Sequence, residues 1–356
     1  MFGGVETFLV TLAKLRHLAP DMHPEFALCF RGRLWDELTA TGAATFDLGE
    51  VRVSRPWTAV RARRALRAVL AERQPDVVVA HSGWVHAVFA AAVRKWGGRL
   101  AFFAHNPPAR STLIDKWAAL TRPDVVIANS RYTAASVPNL FPGVLTHVAY
   151  LPVPLEPPTD RAAVRVAVRS ELTTPEDTVV ILSASRMERW KGHAVLLDAL
   201  GRLRDESGWV NWIAGGAQRP DEVAYLNELK ATAERLGIAD RVRFLGQRTD
   251  VPRLLLAADV HCQPNTGPEP FGLAFVEALA AGLPVVTSAH GGGAEIVNGR
   301  CGLLVPPGDA AAVTSALRGL LSDANRRRDL GTGGPARARE LCDPAVALPH
   351  LQRVLG

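Results

Sequence analysis

Apolar residues fall along this chain in short blocks that recur at intervals. PDVVVAHS (75–82), RLAFFAHN (99–106) and PDVVIANS (123–130) are β-branched or aromatic runs that end in polar residues, with helical patterns between them. Runs of that length and character, alternating with helices, predict parallel strands buried between helical layers. The Pro-rich stretch LPVPLEPPTD (151–160) interrupts the rhythm and reads as a linker. The alternation restarts with TVVILSAS (178–185), WVNWIAGG (209–216), RVRFLGQ (241–247), ADVHCQP (258–264) and LPVVTS (283–288). The pattern predicts an α/β chain of two doubly wound domains facing across a cleft, 1–155 and 156–335, with a C-terminal helix over 336–356 packing back towards the first. Ligands of such sheets bind beyond the carboxyl ends of the strands, so the residues just after them are candidates for chemistry.

The opening MFGGVETFLVTLAKL reads as a turn feeding a helix. Gly3-Gly4 is able to take a positive φ, and Val5, Phe8, Leu9, Leu12 and Leu15 recur at helical spacing. A strand normally precedes such a turn. The pair is either an ordinary helix start, which the residues alone favour, or a phosphate-binding loop whose strand is not in this chain.

Composition narrows the class. A chain of 356 residues suits two domains, and 48% apolar content supports packed cores. No stretch approaches the roughly 20 apolar residues of a membrane span, and the start lacks the form of a signal peptide, so a cytoplasmic location is expected. Cys29, Cys262, Cys301 and Cys342 have no paired spacing and read as lone reduced thiols. The net charge of +6 is uneven: residues 1–150 hold 18 Lys and Arg against 11 Asp and Glu, and the remainder 23 against 24. Its densest part is Arg52 to Arg73, where Arg52, Arg55, Arg61, Arg63, Arg64, Arg67 and Arg73 meet one acid, Glu72. That stretch is a solvated helix face or a contact for an anionic membrane surface or acidic substrate. No recognisable motif or interleaved aromatic set accompanies the arginines, which argues against nucleic acid.

The richest candidate chemistry lies in GPEPFGLAFVEALAAGLPVV (267–286). Pro268 and Pro270 predict an extended approach to a helix over Phe271–Ala281, closed by Gly282 and Pro284. Amides near Phe271, Gly272 and Leu273 would be free at its start, and Gly272 admits an anion closely. Glu269 and Glu277 are eight residues apart, so both could face one ligand, one at each end. A carboxylate beside a phosphate site is electrostatically poor unless it accepts from hydroxyls, which suggests a sugar at one end and a ribose at the other. In SASRMERWKG (183–192), Arg186 and Lys191 follow a strand and could neutralise a diphosphate whose charge grows as its bond to a sugar breaks.

With these segments in view the chain resembles the retaining glycosyltransferases of family 4, whose two Rossmann-like domains form the GT-B architecture. SRMERWKGHAVLLDAL is similar to the family's Arg and Lys-Gly segment, and VRFLGQRTDVPRLLLAADVHCQP to the strand, helix and strand that follow. EPFGLAFVEALAAGLPVV resembles the Glu-x7-Glu motif, with GGGAEIV and NGRCGLLVPPGD as its usual successors. The resemblance implies that Arg186 and Lys191 hold the donor diphosphate, Glu277 the ribose, and Glu269 the sugar hydroxyls. It implies that Phe271, Gly272 and Leu273 offer amides, that Gly215 lies against the donor, and that His105, ending RLAFFAHN, contacts the sugar near the reacting carbon. His81 and Ser130 also end strands, but no role is assigned to them.

The resemblance also reverses the reading of the opening, placing Gly3-Gly4 against the donor phosphates or the acceptor. It implies a first strand missing before Met1, as if an internal Met had been taken as the start, with sheet edges exposed by the loss. Pro152-Val153-Pro154-Leu155 departs from the family's frequent Asn-Gly-Val-Asp. The implied activity is transfer of a sugar, with retention, from a nucleoside diphosphate donor to a hydroxyl of a glycan, lipid or small molecule. No Asp-x-Asp occurs, which fits the resemblance's expectation of a site without metal or other cofactor. The alternatives are a sugar-nucleotide hydrolase or epimerase, and a non-catalytic nucleotide-sugar-binding protein or truncated pseudoenzyme. A basic first half touching lipid would place the protein at the inner face of the membrane.

Overall fold

The apolar blocks become strands, and the periodic segments between them become helices, in the computed structural model, which describes residues 3–52, 54–155 and 160–356. Met1 and Phe2 of the opening stretch, Val53, and residues 156–159 of the expected linker lie outside the described residues. The chain divides into two units, Met1–Pro154 with Cys342–Gly356, and Leu155–Leu341.

The first unit holds strands β1 (Phe26–Leu28), β2 (Thr45–Asp47), β3 (Val77–Ala80), β4 (Arg99–Ala104), β5 (Val125–Ala128) and β6 (Thr146–Val148). Its helices are α1 (Gly4–Lys14), α2 (Arg33–Ala40), α3 (Pro56–Arg73), α4 (Gly83–Trp96), α5 (Leu113–Ala118) and α6 (Arg131–Ser136). The strands form two sheets, one of β1 and β2 and one in the order β3-β4-β5-β6, with every pairing parallel. Gly3 caps α1 from extended backbone, φ −151°, and Glu6 accepts its N–H at 2.9 Å. The positive φ anticipated for the glycine pair is therefore not used, because the Glu6 carboxylate already satisfies the first amide. Phe8, Leu9 and Leu12 of α1 are buried.

Helix α3 shows the amphipathic split. Ala59, Ala62, Leu66 and Leu70 are buried, while Trp57 and Val60 are 66% and 45% exposed. At 100° per residue Arg61, Arg64 and Arg67 share the Trp57 face, and all three are exposed. None of the three has an ion pair among the described residues. Arg63 is turned the other way, donating from Nε to the Val88 carbonyl at 2.6 Å, with its guanidinium 5.5 Å from the Trp117 ring centre.

The second unit holds β7 (Val179–Ala184), β8 (Trp209–Ala214), β9 (Val242–Gly246), β10 (Val260–Gln263), β11 (Val285–Ser288) and β12 (Gly302–Val305). Its helices are α7 (Arg161–Glu171), α8 (His193–Gly201), α9 (Pro220–Arg235), α10 (Val251–Ala257), α11 (Leu273–Ala280), α12 (Gly293–Ile296), α13 (Ala310–Ser322) and α14 (Ala324–Cys342). Its strands form one parallel sheet in the order β12-β11-β10-β7-β8-β9. The strand order reverses between β7 and β10, and a doubly wound sheet opens its ligand crevice at that point. Successive residues of a strand face opposite layers. Val260 and Cys262 of β10 join the apolar core with α8, α9 and α13, whereas His261 meets Phe275 of α11 on the other face. Arg169 of α7 is fully buried: it donates to the carbonyls of Ala257 and Thr178 and pairs with Asp259 at 2.6 Å, tying α7 to the start of β7.

The last helix, α15 (Pro344–Leu355), belongs to the first unit, where His350 and the Val148 carbonyl lie 3.2 Å apart and Gln352 donates to Asp21. The four cysteines are free and buried. Among the described residues no helix is long and apolar enough to cross a membrane.

Candidate active site

The loops that leave β7 and β10 are fastened to one another. After β7 the chain turns through Arg189–Lys191 into Gly192, whose φ is +79°. A Cβ on Gly192 would overlap the Pro264 carbonyl, and the Thr266 amide donates to the Trp190 carbonyl at 2.9 Å. Only glycine meets both demands, a left-handed backbone and a neighbouring carbonyl where a side chain would stand. The lacing delivers Lys191 to Glu269: Nζ donates to Oε2 at 2.6 Å, and both side chains are nearly buried, at 12% and 11% exposure. The ammonium also lies 4.0 Å from the Trp190 ring centre.

Glu269 is held from the other side by two amides that the sequence reading did not single out. Asn265 Nδ2 donates to Oε2 at 3.0 Å and Gln263 Nε2 to the same oxygen at 3.3 Å. Both are buried, and an amide at a strand end looks in sequence like an ordinary turn residue. The backbone of Glu269 is fixed as well, since its carbonyl accepts from Gly292 and a Cβ at Gly291 or Gly292 would strike the 268–271 backbone.

The helix expected over Phe271–Ala281 begins later, at Leu273, and ends at Ala280. Gly272 caps it with φ +108°, a conformation that continues no helix, and this displaces the start by two residues. The amides of Gly272, Leu273 and Ala274 have no acceptor among the described residues. Phe271 is buried beneath them. Glu277, one turn further on, is half-buried, and its carboxylate has no ion pair or hydrogen bond among the described residues. Removal from water pushes its carboxyl up to about 7.

Arg186 is not joined to the Lys191–Glu269 pair but lies 3.0 Å from Glu188. Gly215 follows β8, where a Cβ would overlap the Ser185 carbonyl, so close passage of the β7 and β8 ends is enough to require glycine there. Ser185 Oγ lies 3.0 Å from Nε2 of His193, whose pKa burial lowers to about 4.

The remaining candidates belong to the first unit. His105 follows β4, its ring stacked on Phe103 at 4.4 Å and close to Phe8 of α1. Its carbonyl accepts from Asn129 at 2.9 Å. Its Nε2 lies 3.0 Å from Nδ1 of His81, a residue given no role from sequence. Burial holds both imidazoles neutral, His81 down to about 4 and His105 well below the ordinary value with the His81 ring adding to the effect. Gly3 and Gly4 stand at the start of α1 in the same unit.

Family models match the two halves in turn: Glycosyltransferase Family 4 over residues 2–156 and Glycosyl transferases group 1 over residues 165–337. The D-inositol 3-phosphate glycosyltransferase of Xylanimonas cellulosilytica is 33% identical over 243 residues, 65% of this chain and 57% of that protein. The phosphatidyl-myo-inositol mannosyltransferase of Mycobacterium leprae is 39% identical over 168 residues, 46% of this chain and 42% of that one. The chain thus spans less than two thirds of the length of these relatives. The structure of Anabaena HepE in complex with UDP-glucose superposes with a TM-score of 0.87 at 24% identity, covering 100% of this chain and 96% of that one. That likeness establishes an α/β fold of the GT-B class. Matched in order from one half to the next, the chain belongs to glycosyltransferase family 4.

Proposed function

We propose that the protein transfers a sugar from a nucleoside diphosphate to a hydroxyl acceptor with retention at the anomeric carbon, without metal or other cofactor. The observation that carries this reading is the Lys191–Glu269 pair at the switch point of the second unit. It sets a cation and a hydroxyl-accepting carboxylate 2.6 Å apart at the end of a parallel sheet. Lys191, Arg186 and the amides of Gly272 and Leu273 would bind the diphosphate, with Phe271 seated beneath. Glu269 would accept from the sugar and Glu277 from the ribose. Gly215, Gly3, Gly4 and His105 are assigned to the donor side as the family resemblance implies.

In the reaction the bond from the anomeric carbon to the diphosphate oxygen breaks, and its electron pair stays on that oxygen. Lys191 and Arg186 stabilise the charge that develops there, the work a metal ion does in other transferases. The acceptor oxygen then attacks from the face the diphosphate is leaving, and its proton passes to the departing phosphate oxygen. The exposed Trp57, Val60, Arg61, Arg64 and Arg67 face of α3 supports peripheral contact with an anionic membrane from the cytoplasmic side.

The test supplies UDP-, GDP- and ADP-sugars with inositol phosphate, phosphatidylinositol and simple glycosides, and follows both nucleotide release and product anomer. The expected result is acceptor-dependent release, product of the donor's anomeric configuration, and turnover unchanged by EDTA. Lys191→Ala is expected to lose two to three orders of magnitude in kcat, the usual cost of one charged stabiliser of a developing anion, roughly 3 to 4 kcal/mol. Release at full rate without acceptor would make the protein a hydrolase, and inverted product would end the retaining assignment.

A further inference from the structure

Glu269 shows an asymmetry that its pairing with Lys191 does not require. Lys191 Nζ, Asn265 Nδ2 and Gln263 Nε2 all donate to Oε2, and Oε1 accepts from none of the described residues. The amides are themselves ordered in series. Gln263 Nε2 also donates to Asn265 Oδ1 at 2.8 Å, and an amide whose oxygen is occupied on one side must turn its NH2 to the other. Gln263 thereby fixes the orientation of Asn265, and Asn265 can present only a donor to the carboxylate. The arrangement leaves Gln263 Oε1 buried with no partner among the described residues, a cost that packing alone does not explain. Gln263 and Asn265 are each about 1% exposed, so neither exchanges these bonds for water.

We infer that Gln263 and Asn265 are positioning residues that hold Glu269 by one oxygen so that Lys191 can leave it. This rests on the proposed reading of Glu269 as the contact for donor sugar hydroxyls. In the absence of donor the ammonium neutralises a buried carboxylate. When a diphosphate arrives, Lys191 turns to the phosphate oxygens and Glu269 loses its charged partner. Two fixed N–H donors then keep the carboxylate in place and oriented, because their hydrogen bonds to Oε2 do not depend on Lys191. Oε1 remains directed at the sugar. Without them Glu269 would move with Lys191, and sugar and phosphate could not be held at the same time.

The test compares UDP with UDP-glucose as probes on Asn265→Ala, Gln263→Ala and Asn265→Ser, the last keeping a short donor. Expected is a UDP Kd within twofold of wild type for all three. The extra affinity of UDP-glucose over UDP falls at least tenfold in the alanine variants, with kcat lowered more than KM is raised, and Asn265→Ser recovers most of it. A general weakening in which UDP suffers as much as UDP-glucose would reduce the pair to packing, and unchanged sugar affinity would overturn the inference. A second measurement needs no donor: in thermal unfolding, Lys191→Ala combined with Asn265→Ala should lower the midpoint by more than the sum of the single changes. Additive losses count against the clamp. Wild-type protein that binds neither UDP nor UDP-glucose while the double change remains more than additive would leave the clamp standing and remove the proposed ligand.

Discussion

Glu277 illustrates how one side chain sets function against stability. Its carboxyl is pushed up to about 7 by burial from an ordinary 4.5, so folding favours the protonated form. Its contribution to stability is therefore complete below about 4.5 and is lost as pH rises through 7. At pH 8 the ligand-free protein carries that cost in full, at most about 3 kcal/mol. Glu277→Gln is expected to melt higher than wild type at pH 8 and level with it near pH 4.5, while binding UDP more weakly. A melting difference independent of pH, or a variant less stable at pH 8, would show that the carboxylate is not strained in the fold. The charged residues of the candidate site could be singled out in sequence because the segments 183–192 and 267–286 carry them together, each following a strand. Gln263, Asn265 and His81 were not: their significance lies in which atoms they face, Oε2 of Glu269 and Nε2 of His105, and no spacing encodes that.

Among the elements, α11 and α3 show where periodicity suffices and where it does not. The apolar repeat of α11 predicts a helix, but its start depends on the left-handed Gly272, which composition cannot reveal. The arginine stretch predicts a helix with a solvated face. The structure adds that Trp57 and Val60 share that face, giving apolar anchors beside three arginines that have no ion pair among the described residues. Each arginine near an anionic surface contributes about 1 kcal/mol. Protein carrying Arg61→Glu, Arg64→Glu and Arg67→Glu together is expected to bind vesicles of equal phosphatidylcholine and phosphatidylglycerol at least a hundredfold more weakly than wild type. Binding unaffected by those reversals, or equal binding to pure phosphatidylcholine, would show that α3 is only a solvated face.

Across the whole molecule, the alternation of strands and helices was enough to foresee parallel sheets flanked by helices, with the strand-order reversal of a doubly wound sheet seen in the second unit. The separation of the first unit's strands into two sheets depends on pairings that local pattern does not specify. Each unit carries buried titratable groups of its own. Burial lowers His81, His193 and His261 to about 4 each, so their contribution to stability is present above 6.5 and is lost as pH falls towards 4. Glu277 acts in the opposite sense, but a single group does not offset the two histidines of its own unit, each worth up to ~3 kcal/mol. The urea midpoint is expected to fall steadily from pH 7 to pH 5, and a flat profile would mean that water reaches these rings. Another consequence follows from the glycine contact at Gly192, where a missing Cβ lets the Lys191 loop rest on Pro264. Segments 185–192, 263–272 and 290–293 are interlocked, so a chimaera that imports one of them from a relative inherits a mismatch with the other two. Exchange of donor preference between family members should succeed only when the three are grafted together.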